Sequence, residues 1–144
     1  MKTPIAFLIS ALIAYMLGAA TSSWIIASNV AELGLEVTFA DRVAWIAHDQ
    51  VSMLPIYLPV VIVGLLVAYA VTAQVLKWVP NLRLLGFVLA GAAAMYASNQ
   101  LILLATDLHG LPATRSFTGL SLQMLAGAVA GFAYVKLGPR SAEL

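Results

Sequence analysis

The chain holds two histidines, His48 and His109, each close to a carboxylate, Asp49 and Asp107. Imidazole and carboxylate together form a ligand set for Zn²⁺ or a similar ion. The same imidazoles offer a general base near neutral pH. His48 precedes Pro80 by about 32 residues and His109 follows it by about 29, so two antiparallel helices rising about 1.5 Å per residue would bring both to one level. Neither histidine belongs to an HExxH-type metal motif, and interfacial histidines ordinarily just face water or headgroups. We therefore predict no cofactor, with a metal ion on His48, Asp49, Asp107 and His109 as a rival reading. Haem is disfavoured further, because no apolar stretch contains a histidine to ligate it.

Other reaction chemistry finds no foothold. There is no cysteine, hence no thiolate nucleophile, thiolate metal site or disulfide. No GxSxG elbow, phosphate loop or dinucleotide fingerprint is present. Tyr15, Tyr69, Tyr96 and Tyr134 read as packing or interfacial anchors. No catalytic residue is assigned, and a non-enzymatic role is favoured.

A second set of residues can bind without reacting. Ser22, Tyr57, Tyr96, Asn99, Gln100 and Gln123 are polar groups inside otherwise apolar stretches. An unpaired carboxamide in hydrocarbon costs several kcal/mol, so these groups must find each other, backbone or water. One reading is glue between helices. The other is a polar pocket, open to one side of a membrane, for a lipid or small amphipathic molecule. No charged residue falls in the middle of an apolar stretch, which argues against an ion-coupled pump.

The elements that position these groups are set by composition. The chain has 144 residues, 62% of them hydrophobic and 9% charged, against about a quarter charged in a soluble domain. A small globule cannot hide so much apolar surface, so lipid must be its solvent. Net charge is +1, which gives no footprint for nucleic acid. The expected fold is all-α: a polytopic membrane protein with four transmembrane helices in one bundle and a single domain. Its spans cover about 5–30, 52–78, 82–106 and 117–137, each long enough to cross roughly 30 Å of hydrocarbon. A cleaved signal peptide ending near Gly18-Ala19-Ala20 is the rival for the first span; apolar residues run on through Trp24-Ile25-Ile26 and favour an anchor.

Between the first two spans, residues 31–50 carry four acidic groups, Glu32, Glu36, Asp41 and Asp49. Thr38-Phe39-Ala40-Asp41 reads as a capping box that opens a short amphipathic surface helix. Pro55 suits a first helical turn, whereas Pro59 should kink the second span. Pro80 ends that span, and Gly138-Pro139 ends the fourth.

Four spans put both termini on one side, with Lys2, Lys77, Arg83, Lys136 and Arg140; only Arg42 and Arg115 lie opposite. Basic residues mark the cytoplasmic side. The expected location is therefore the bacterial inner membrane, with both termini inside and the polar groups toward the periplasm. Gly127 and Gly131 form a GxxxG pair, read as packing within the chain ahead of dimerisation. Expected partners are membrane lipids and a homo-oligomer or larger membrane complex, the chain serving as a self-associating or accessory subunit. An oligomeric channel or transporter for a small solute is the alternative. A membrane enzyme or metal protein using the His/Asp cluster is the second.

Overall fold

The computed structural model describes residues 2–106 and 116–138. These form five α-helices and no strand: α1 (Lys2–Glu32), α2 (Phe39–Ser52), α3 (Leu54–Val75), α4 (Arg83–Thr106) and α5 (Phe117–Leu137). Four helical segments are long and apolar enough to cross a membrane: Thr3–Glu32, Leu54–Val75, Pro80–Leu104 and Phe117–Leu137. That is the signature of an integral membrane protein.

Local chemistry sets the breaks. Gly34 adopts φ +84, a left-handed conformation open to glycine, and stops the chain after α1. Thr38 then caps α2. Its hydroxyl accepts from the Asp41 N–H at 3.2 Å, while the Asp41 carboxylate accepts from the Thr38 hydroxyl at 2.6 Å and the Thr38 N–H at 2.9 Å. The hydroxyl, and then the backbone N–H, hold the Asp41 carboxyl below the usual carboxylate range. A lowered value means that the box is intact at neutral pH and is lost only as pH falls through that value.

The second span starts later and ends earlier than its apolar run. Met53 closes α2 and opens α3, because Pro55 has no N–H for the Val51 carbonyl. The helix resumes at once, with the Tyr57 N–H on the Met53 carbonyl at 2.8 Å. Pro59 sits inside α3. At the far end, Leu76 to Trp78 leave the helix in turns ahead of Pro80, and a 3-10 turn, Pro80–Leu82, leads into α4.

The long helices touch in the order α1, α5, α4, α3 and back to α1, with α2 laid against α1 and the start of α3. The α4–α5 contact is the closest. There Gly127 faces the Gly91 carbonyl and Gly131 faces the Phe87 carbonyl, with no room for a side chain between the backbones. The GxxxG pair is thus used within the chain.

The interior has two levels. At the end away from α2, Tyr69 packs edge-on against Phe7 and Phe87, at centroid distances of 6.1 and 5.4 Å, and tilts onto Tyr134 at 4.6 Å. Its hydroxyl meets the Ser10 hydroxyl at 2.8 Å, and Ser10 donates to the Ala130 carbonyl at 2.8 Å. The other level, nearer α2, is polar.

Candidate functional site

Gln123 is the centre of that level. It is fully buried (0% exposed) on the face of α5 that carries Gly119, Ala126 and Gly127. Small neighbours let α1 and α4 come close and leave the long carboxamide as the main group on this face. Its Nε2 donates to the Ser22 hydroxyl at 2.7 Å and the Gly18 carbonyl at 2.8 Å, with the Thr21 hydroxyl also at 3.2 Å. Its Oε1 accepts from the Tyr57 hydroxyl at 3.0 Å. One side chain therefore ties α5 to both α1 and α3.

Gly18 makes room for this. A Cβ there would lie 2.8 Å from the Tyr57 hydroxyl and 3.0 Å from Gln123 Oε1. Thr21 turns its hydroxyl back to the Leu17 and Gly18 carbonyls at 2.8 and 2.9 Å, the usual bond of a threonine inside a helix. Tyr57 also packs against Tyr15, at a centroid distance of 5.9 Å. The Tyr15 hydroxyl donates to the Gln50 carbonyl, which fastens α2 over this level.

Asn99 completes the cluster from α4. It is 2% exposed, and its carboxamide lies beside the Tyr57 hydroxyl. Its Nδ2 donates to the Met95 carbonyl at 2.9 Å, but its Oδ1 is buried without a donor. Tyr57 has one proton, and Gln123 takes it. Asn99 Oδ1 is therefore an acceptor left over.

Of the residues expected in a pocket, Ser22, Tyr57, Asn99 and Gln123 stand together. Tyr96, 44% exposed, and Gln100, half-buried, stand on other faces of α4. Gly18 is a member that residue type alone did not suggest. Its position one turn before Ser22 is the signal that marks it.

α2 is held to α1 by polar contacts. Ser23 donates to the Asp49 carboxylate at 2.6 Å, Gln50 Nε2 donates to the Met16 carbonyl at 2.8 Å, and Arg42 donates to Ser28 at 3.0 Å. The Arg42 guanidinium also lies over the Trp24 ring, 4.9 Å from its centroid. His48 meets Ser52 on its own helix at 3.1 Å. Among the described residues no three metal-ligating side chains gather. Asp107 and His109 lie outside the described residues.

An open groove of about 660 Å³ lies between α3 and α4, lined by Pro59, Val63, Gly64, Ala93, Ala97 and Leu101. Its lining is apolar and offers no reactive group. Comparison of the chain with protein-family models, curated proteins and solved structures finds no match.

Proposed function

We propose that the chain is a small non-enzymatic protein of the bacterial inner membrane that binds a lipid or small amphipathic molecule at its outer polar cluster. In this reading the four long helices form one transmembrane bundle with both termini in the cytoplasm. The basic residues carry the orientation: Lys2, Lys77, Arg83, Lys136 and Arg140 fall on one side, Arg42 and Arg115 on the other. α2 then rests on the periplasmic surface. Its half-buried residues Arg42, Asp49 and Gln50 face α1, while Phe39, Val43 and Val51 point outward, where the membrane boundary receives them.

One observation carries the binding reading. Gln123 uses both ends of its carboxamide, yet the buried Asn99 Oδ1 has no donor. A buried acceptor left unpaired costs about 1–3 kcal/mol, and such groups in native proteins call for an explanation. A ligand hydroxyl or N–H placed beside Tyr57 would pair it. The aromatic level of Tyr69, Phe87 and Tyr134 fills the interior beyond, so a polar path through one protomer does not continue there. Any self-association or accessory role falls to the outer faces, where the α3–α4 groove offers an apolar recess.

Asn99→Leu tests the reading. If Asn99 serves a ligand, the variant loses an adduct in native mass spectrometry, and its unfolding midpoint in lipid-free detergent rises by the equivalent of about 1 kcal/mol. Loss of stability by a similar amount with the adduct retained would make Asn99 a packing group and end the proposal.

A further inference from the structure

A second concavity lies beside the cluster, between α1 and α2. It measures about 310 Å³ and is lined by Ser23, Ile26, Val30, Trp45, His48, Asp49 and Met53. Three observations bear on what it takes. The Asp49 carboxylate is half-buried in its wall, held through one oxygen by Ser23. Among the described residues no cation pairs with it. Arg42, the basic residue of α2, is turned to Ser28 and the Trp24 ring.

A partly buried carboxylate without a counter-charge favours a cation. The rest of the wall decides which kind. Divalent metal ions need several oxygen, nitrogen or sulfur ligands, and the described wall supplies one carboxylate, one imidazole and one hydroxyl already bonded to that carboxylate. Ile26, Val30 and Met53 add apolar surface, and Trp45 adds an indole. An anion on one side, an aromatic ring and an apolar floor are the elements that recognise organic ammonium groups.

We propose that the α1–α2 cleft binds an organic ammonium group, with Asp49 as counter-charge, Trp45 as its aromatic wall and Ile26, Val30 and Met53 beneath its carbon skeleton. The inference goes beyond the Asn99 site and rests only on α2 lying at the membrane surface. There an ammonium group can come from an aminophospholipid headgroup or from a free amine.

The test uses the full chain in detergent, probed by native mass spectrometry with palmitoyl-oleoyl phosphatidylethanolamine and the matching phosphatidylglycerol. The first lipid should be retained about tenfold better, as expected for one well-placed charge interaction, and Asp49→Asn should abolish that preference. Trp45→Ala, at an exposed position, should weaken it roughly threefold. Displacement of the lipid by millimolar ethanolamine would identify the free amine as sufficient; resistance to it would assign the site to the lipid. Equal retention of the two lipids by the unaltered protein would overturn the proposal without any variant. So would a preference that survives in Asp49→Asn, or displacement by Ca²⁺ or Zn²⁺ at concentrations where ethanolamine has no effect. The comparison is between headgroups on one protein, so a failed Asn99 result leaves it intact.

Discussion

Gly127→Val should separate α4 from α5 and destabilise the protein by at least about 3 kcal/mol, at or beyond the upper end of ordinary overpacking. The reason is what a side chain would strike. A Cβ on Gly127 lands on the Gly91 carbonyl and comes within 2.6 Å of Met95 Cγ. A Cβ on Gly131 meets the Phe87 carbonyl group and lies 3.0 Å from Val88 Cα. These obstacles are mostly backbone, which cannot rotate aside as a side chain can. The helices must move apart along the whole contact, and in lipid that contact depends on close approach, because apolar burial supplies little drive. Gly86→Ala is the control. Its Cβ would meet Thr72 Cγ2 at 3.2 Å and the Leu76 methyls, flexible ends that can give way. Unfolding in nanodiscs should place Gly127→Val far below the parent and Gly86→Ala close to it. Near-parental stability of Gly127→Val would show that α4 and α5 do not meet in this way.

Gln123→Leu should cost about 2–4 kcal/mol. Interhelical hydrogen bonds in membranes are worth about 0.6–2 kcal/mol each, and a stranded buried hydroxyl adds about 1–3 kcal/mol. The variant removes the acceptor of Tyr57 and the donor to Ser22 and the Gly18 carbonyl. Adding Tyr57→Phe should recover part of the loss, since removing both partners costs less than stranding one. A double-mutant cycle with Tyr57→Phe should therefore show coupling of about 1 kcal/mol or more. Strict additivity would mean that the two side chains do not bond.

The spans were legible because length and apolarity decide them. So were the Thr38 and Asp41 box and the stop at Gly138, each resting on a few adjacent residues. The joint at Met53 was not. Pro55 suits a first turn, but nothing local says that α2 runs on to Ser52, three residues ahead of it. The faces of the spans were legible only in part. A helix apolar all round carries no stripe to mark its inner side, so rotation is set by where glycines allow contact. Gly127 and Gly131 advertised themselves by spacing; their counterpart Gly91 is a lone glycine among alanines. The same ambiguity placed Tyr96 with Asn99, although in α4 one is exposed and the other buried. Nor did sequence show that α2 turns Arg42, Asp49 and Gln50 inward. An amphipathic helix ordinarily packs by its apolar face, and this one docks by hydrogen bonds.

In the proposed topology, four crossings put the Gln123 cluster and α2 on the periplasmic side. The chain has no cysteine, so each one introduced is the sole target of a thiol reagent. We would place single cysteines at Glu36, ahead of α2, at Ser52, its last residue, and at Asn81, between α3 and α4, all exposed, and treat intact bacteria with a membrane-impermeant maleimide. The account predicts labelling at Glu36→Cys and Ser52→Cys in intact cells, and at Asn81→Cys only after the inner membrane is breached. Labelling of Asn81→Cys in intact cells, with Glu36→Cys and Ser52→Cys protected, would turn the molecule over and place the cluster on the cytoplasmic side.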